Sequence, residues 1–226
     1  MMEKAWTDSI EDYLKVIFEL TSKGDRATTS RLAERMSVTP ASVTGMVQKL
    51  AETDPPLLEY RKHHGVVLTE QGRKVALQTI RHHRLIEMLL HQILGFPWDE
   101  VHEEAERLEH VISEKMEERI AQVLGDPTHD PHGDPIPTRD LEIPPSTSVR
   151  LSELRGGQRA VVQRVRDSDP ALLRYLQELG LQPDSKLHVQ AYSPFDENLT
   201  LKVEGQSDSI VLGPRVTHQV YVEPTG

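Results

Sequence analysis

Between Gly125 and Pro145 the chain carries six prolines and two glycines with no apolar periodicity. Proline fixes φ and removes a backbone donor, so this run reads as a semi-extended linker. Ahead of it the apolar residues recur mostly at helical spacing; beyond it they fall into short strand-like runs. The expected class is therefore mainly α with a small β domain. At 226 residues the chain has length for one large domain or two to three small ones.

The first third predicts a helix over 8–22, with Ile10, Tyr13, Leu14 and Ile17 on one side and Gly24 past its end. Short helices follow over 29–36 and 40–52, the second with Pro40 in its first turn and Pro55-Pro56 beyond its end. Leu57–Tyr60 and Val66–Thr69 are β-favouring runs on either side of Arg61-Lys62-His63-His64-Gly65, a hairpin with a basic tip. Three helices and then such a hairpin is the order of a winged helix-turn-helix. Two long helices are expected next, over 70–94 and 98–124, the second with Val101, Ala105, Leu108, Ile112 and Met116 as its apolar stripe. After the linker, strands are expected at Val149–Leu151, Ala160–Val165, Lys186–Tyr192, Leu199–Val203, Ser209–Leu212 and Val220–Val222, with a helix at Pro170–Leu179. A small SH3-like barrel fits that order.

Composition narrows the chemistry. With no cysteine, disulfides, iron–sulfur clusters, thiol catalysis and thiolate metal sites are all excluded. Any transition-metal site must use imidazole and carboxylate, and there are 11 histidines. No stretch approaches the roughly 18 apolar residues of a membrane span, and a cytoplasmic location is expected. The net charge of −10 is uneven: +1 over residues 1–90, −9 over 91–140 and −2 over 141–226. The first third is thus near neutral in balance and compatible with a nucleic-acid partner.

The third helix presents Thr39, Ala41, Ser42, Thr44 and Gln48 on or near its exposed N-terminal half. Small hydroxyl and methyl groups let a helix sit deep in a major groove and touch phosphates and thymine methyls. Arg31, with Lys62 and His63 at the wing tip, is placed to hold backbone phosphates.

The acidic middle carries a second pattern. His102, Glu106, Glu109 and His110 would span about 100° of one helix face, with i,i+4 and i,i+3 pairs that can converge on a point. On the preceding helix, His83 and Glu87 form another i,i+4 pair on the side of Ile80 and Leu90. Ionised groups on a core-facing side are costly unless compensated, and a divalent cation is the simplest compensator. Neither H-E-x-x-H nor H-x-x-E-H occurs, and no base–nucleophile arrangement stands out, so a carboxylate–histidine metallohydrolase is the lesser alternative and no enzyme activity is expected. A winged-helix regulator that senses no metal is the other alternative. His129 and His132, in the linker, are given no ligand role; Trp6 and Trp98 are read as anchors of helix starts.

Taken together, EDYLKVIFEL at 11–20, RLAERMSVTPASVTGMVQKL at 31–50, LTEQGRKVA after the wing, His83 and Glu87, VHEEAERLEHVIS at 101–113 and PHGDPIP at 131–137 carry a resemblance. The chain resembles the metal-dependent transcriptional regulators of the DtxR/MntR family over essentially its whole length. The resemblance implies a winged helix-turn-helix domain at 1–70, a helical metal-binding and dimerisation domain at 71–125, a linker at 126–148 and an SH3-like (FeoA-like) β barrel at 149–226. It implies a homodimer that binds a palindromic double-stranded DNA operator when charged with metal and controls metal-uptake genes.

By position, the resemblance assigns Asp12, Glu106, Glu109 and His110 to a primary metal site and His83, Glu87 and His102 to an ancillary one, with Asp169 as its match from the barrel. Iron-type members carry Met and Cys where this chain has Asp12 and Glu106. Hard oxygen ligands favour manganese(II), with iron(II), cobalt(II), cadmium(II) or zinc(II) as substitutes. Lys15 stands where manganese-type members often have a glutamate, which points to one primary ion rather than a two-metal cluster.

Overall fold

A computed structural model describes residues 6–22 and 24–225. The chain forms two compact units. One comprises the chain through His82 with Glu109–Val111 and Arg139–Glu142; the other comprises His83–Leu108, Ile112–Thr138 and the chain from Ile143 onward.

The first unit begins with α1 (Asp8–Thr21), whose Ile10, Tyr13, Leu14 and Ile17 recur at one-turn spacing and are all buried. They pack with Leu32 and Ala33 of α2 (Thr29–Arg35) and with Val43, Val47 and Leu50 of α3 (Pro40–Ala51). Burial of each such large side chain contributes about 1.5–3 kcal/mol. The helix starts are written in the sequence. Thr28 Oγ1 accepts from Arg31 N at 3.2 Å and Thr39 Oγ1 accepts from Ser42 N at 3.2 Å, each satisfying a donor that a helix leaves open.

The wing is the antiparallel pair β1 (Leu58–Arg61) and β2 (Gly65–Leu68), in register from Leu58↔Leu68 to Arg61↔Gly65. Ala27, just before α2, pairs with Val66 through bonds of 3.0 and 2.9 Å. Gly65 has φ +85°, and a Cβ there would lie 2.4 Å from the Ala27 carbonyl oxygen. Only glycine permits that approach.

Helix α4 (Glu70–Met88) starts after the wing and ends in a π-helical turn, Leu89–Ile93, where Leu94 N donates to Leu89 O at 3.1 Å. The single helix expected over 98–124 is instead two: α5 (Val101–Leu108) and α6 (Glu114–Val123). Ser113 caps α6, its side chain accepting from Met116 N at 3.3 Å, with Glu114 and Glu117 favoured by the positive helix start. In the second unit Leu85 and Met88 pack with Ile120, Ala121 and Ile136, while Ile86 and Leu90 pack with Val101 and Ala105.

The proline-rich run is not simply extended. Asp130, His132 and Ile136 are buried, and Asp130 N donates to Asp134 O at 3.0 Å. Gly133, at φ +90°, leaves no room for a side chain, since a Cβ would meet the Gln163 carbonyl oxygen at 1.9 Å.

The C-terminal sheet is antiparallel throughout, in the order β6-β5-β4-β3-β7. Its strands are β3 (Arg159–Val165), β4 (Lys186–Tyr192), β5 (Leu199–Val203), β6 (Ile210–Leu212) and β7 (Val220–Pro224). Helices α7 (Pro170–Glu178) and α8 (Pro214–Thr217) interrupt them. Alternate residues such as Leu187 and Val189, then Leu199, Leu201 and Val203, fill its core, and Trp98 is buried among them rather than serving only a helix start. The strand expected at Val149–Leu151 shrinks to a single antiparallel bridge, Arg150↔Tyr221, with Val222 N donating to Val149 O at 2.9 Å; from Leu151 the chain turns into a 3₁₀ helix, Leu151–Glu153, where Glu153 Oε1 accepts from Arg150 N at 3.0 Å. No helix among the described residues is long and apolar enough to cross a membrane.

Candidate metal centres and DNA interface

Residues 109–111 follow the last turn of α5, so Glu109 and His110 are not in phase with His102 and Glu106 on one helix face as expected. The turn is held by His82, whose Nδ1–H donates to the Glu109 carbonyl at 3.1 Å while Gln78 Nε2 lies 3.0 Å from its Nε2. Against it α1 sets three side chains one turn or less apart: Glu11, Asp12 and Lys15. His110 Nδ1 donates to Glu11 Oε2 at 2.7 Å and Nε2 donates to Asp12 Oδ1 at 2.8 Å. Its Nε2 is also 3.5 Å from Glu109 Oε1. Lys15 Nζ donates to both Glu109 oxygens, at 3.0 and 2.8 Å.

Asp12, Glu109 and His110 each offer one donor atom, all within 4.8 Å of one another. Hydrogen bonds to Asp12 and Glu11 raise His110 to about 9, against the opposing effect of burial. A proton thus sits on Nε2, the nitrogen that a cation between Asp12 and Glu109 would take. Two oxygens and one imidazole nitrogen, with Asp12 open to solvent at 42% side-chain exposure, suit a divalent first-row ion. Glu106, in the second unit, has its carboxylate 3.6 Å from His102 Nε2 and is 55% exposed.

The second unit holds the ancillary candidates together. His83 Nε2 donates to Glu87 Oε1 at 3.0 Å and lies 3.1 Å from His102 Nδ1. His102 Nδ1 is 3.3 Å from Glu87 Oε1 and 3.3 Å from Asp167 Oδ2. Burial works against the charge of His102, yet bonds to Asp167 and Glu87 lift it to about 10. Burial likewise opposes ionisation of Asp167, but its bond to His102 brings it down to about 2. Glu87, fully buried, is held well below the usual carboxylate range by His83 and His102. Two imidazoles and two carboxylates facing one point form a donor set that fits a divalent ion.

Asp169, expected here, is elsewhere: its Oδ1 caps α7, accepting from Ala171 N at 2.9 Å and Leu172 N at 3.3 Å. Asp167 takes its place. Sequence reasoning also left out Glu11, which fixes the orientation of His110, and treated Lys15 only as a departure. An Asp directly before Pro170 is a helix-start signal, and it could have separated the cap from the ligand.

The residues proposed from sequence to contact DNA are mostly exposed. Arg31, Thr39, Ala41, Ser42 and Gln48 are exposed, as are Lys62 and His63 at the wing tip, where His63 has φ 66°. Thr44 is half-buried and its hydroxyl donates to Pro40 O at 2.9 Å, so it presents chiefly its methyl.

Comparison with known proteins agrees with this layout. Residues 5–66 match the family profile "Iron dependent repressor, N-terminal DNA binding domain", 69–138 match "Iron dependent repressor, metal binding and dimerisation domain", and 149–224 match "FeoA domain". The chain is 36% identical over 229 residues to the iron-dependent repressor IdeR of Mycobacterium leprae, covering 96% of this chain and 97% of that protein. It is 37% identical over 137 residues to the diphtheria toxin repressor of Corynebacterium diphtheriae, covering 61% of this chain and 60% of that protein. Among solved structures, a manganese-dependent transcriptional repressor in complex with manganese superposes with a TM-score of 0.85 at 38% identity, covering 94% of this chain and 98% of that one. ScaR with bound zinc superposes with a TM-score of 0.78 at 36% identity, covering 95% and 98%. With its reader, its imidazole–carboxylate groups and its C-terminal sheet in that order, the chain belongs to the DtxR/MntR family of metal-dependent transcriptional regulators.

Proposed function

We propose that this protein is a cytoplasmic, homodimeric regulator whose affinity for a palindromic operator is set by a divalent ion at Asp12, Glu109 and His110. Manganese(II) is the preferred ion, with iron(II) as the alternative, because the site offers hard oxygen donors and no sulfur. The resemblance adds Glu106 as a further donor, and the ancillary ion belongs to His83, Glu87 and His102 with Asp167 in place of Asp169. Residues 1–70 then read DNA, 71–125 sense metal and dimerise, 126–148 connect, and 149–226 form the FeoA-like domain.

The observation that carries this reading is the meeting of α1 with the 109–111 turn through three convergent donors. Helix α1 shares its core with α2 and α3, so whatever holds α1 holds the reader. When bound, the ion supplies two positive charges where Asp12 and Glu109 would otherwise repel. Glu11 keeps the proton on Nδ1 of His110 and so presents Nε2 toward Asp12 and Glu109. Lys15 neutralises part of the Glu109 charge from the other side. Ile93, Leu94, Met116 and Val123 are exposed apolar side chains in the region of the dimerisation profile, and a two-fold partner would cover them. A dimer fixes two readers at the spacing of successive major grooves. A coupling of about 1–3 kcal/mol between ion and operator makes a useful switch.

The test is operator affinity, by fluorescence anisotropy, on a duplex selected from a random pool with manganese present. Asp12→Asn, which removes an anionic donor at a half-exposed position and keeps an acceptor for His110, is expected to abolish the manganese-dependent gain in affinity while the metal-free affinity stays near wild type. An undiminished gain would falsify the assignment.

A further inference from the structure

Seven buried side-chain polar atoms among the described residues lack a hydrogen-bond partner, and three of them belong to Glu87, Asp130 and His132. These three residues are almost wholly enclosed, at 0%, 6% and 0% exposure. They also bring one donor atom each within 4.8 Å of the others. A buried polar atom without a partner is costly, and three residues of one cluster that each hold such an atom call for an occupant.

The geometry around each group says what that occupant must be. His132 Nε2 lies 2.8 Å from the Trp98 carbonyl, which can only accept, so the proton is on Nε2. In the neutral ring that leaves Nδ1 as a bare lone pair, and it has no partner; Glu87 Oε1, at 3.9 Å, is too far for a hydrogen bond. An imidazole that donates from one nitrogen to a backbone carbonyl and points the other into a carboxylate pair has the arrangement of a metal-ligating histidine. Asp130 spends Oδ1 on its own turn, accepting from His132 N at 2.8 Å and Asp134 N at 2.9 Å. Its Oδ2 has no hydrogen bond, and the nearest cation is Arg84 Nε at 3.5 Å. Glu87 Oε1 serves His83 and His102, while Oε2 is unpartnered. Gly133, pressed against the Gln163 carbonyl, fixes the turn that carries Asp130 and His132.

We propose that Glu87, Asp130 and His132 form a further divalent-cation site, separate from the His83, His102 and Asp167 site and joined to it by Glu87 as a bridging carboxylate. Two carboxylate oxygens and one imidazole nitrogen, without sulfur, select manganese(II) or iron(II) chemistry. The proposal rests on the ancillary reading above only through the shared Glu87. It gives the 128–137 turn a role as ligand carrier.

The experiment uses the full chain crystallised with manganese(II), with anomalous difference maps recorded above and below the manganese absorption edge. Two peaks are expected, one among His83, His102 and Asp167 and one in bonding contact with Asp130 Oδ2 and His132 Nδ1. A peak at the first position alone, or a water without anomalous signal at the second, overturns the proposal and leaves the ancillary reading standing. No peak at either position overturns both. In solution, Asp130→Asn keeps the Oδ1 acceptor and hence the turn, and is expected to bind one equivalent of manganese less than wild type by equilibrium dialysis with elemental analysis. Equal stoichiometry in the two proteins also overturns it.

Discussion

Lys15 sets its ammonium 3.0 and 2.8 Å from the two carboxylate oxygens of Glu109, with side chains only 11% and 1% exposed. A charge that deep is tolerated because it is paired, and removing one partner strands the other. Lys15→Met should therefore destabilise the metal-free protein by about 3–5 kcal/mol. Manganese should restore more of the loss than it adds to wild type, because the ion takes over the neutralisation of Glu109. Thermal unfolding in chelator and in manganese measures both; equal melting temperatures in chelator would count against the pairing.

The two raised histidines set a pH dependence. His110 and His102 titrate at about 9 and about 10, above the ordinary value of 6.5. A folded-state value above the unfolded one means stability that is complete below pH 6.5 and lost as pH rises through about 9 to 10. Metal binding runs the other way, since a ligating nitrogen must first lose its proton. Manganese affinity should thus climb from pH 6 to 9 while chelator-treated protein loses stability across the upper part of that range. Calorimetry in two buffers of different ionisation enthalpy at pH 7.5 should register proton release on binding. No release would contradict the assignment of both imidazoles.

Asp167 and Asp169 are two residues apart and separable by experiment. Asp169→Ala removes the α7 cap and should cost about 1 kcal/mol of stability without changing metal stoichiometry. Asp167→Ala should weaken the ancillary ion at little cost to α7. Paired melts and dialysis measurements decide it; reversed outcomes would restore Asp169 as the ligand.

On DNA, the wing and the reader helix should behave differently. Lys62→Ala at the exposed tip should weaken binding to all sequences alike and flatten the log–log salt dependence by about 0.9. Gln48→Ala, on the exposed side of α3, should cost about 1–3 kcal/mol at one base position and relax preference there. Anisotropy titrations across salt, on matched and single-substituted duplexes, distinguish the two; a Lys62 effect confined to one base pair would reverse the roles.

Local signals made much of this legible. Helices α1 to α3 follow from apolar spacing, with Thr28 and Thr39 as caps, and β4 and β5 run over the residues their alternation predicts. The break between α5 and α6 escaped notice because Ile112 and Met116 continue the stripe of Val101 and Ala105 in register, although Ser113 before Glu114 is a cap signal. That error misplaced the geometry of Glu109 and His110 without losing them as candidates. The pairings of Lys15 with Glu109 and of His110 with Glu11 join residues more than 90 positions apart, and no periodicity encodes them. Asp130 and His132 looked like linker residues because proline spacing reports backbone conformation and says nothing of what a turn is packed against.

The pairing of Ala27 with Val66 has one more consequence. Because that short ladder staples the hairpin to the start of α2, the tip bearing Lys62 cannot swing independently of the recognition element. A duplex whose backbone path departs from the fitted curvature then loses either its phosphate grip or its base readout, so shape itself becomes a criterion of selection.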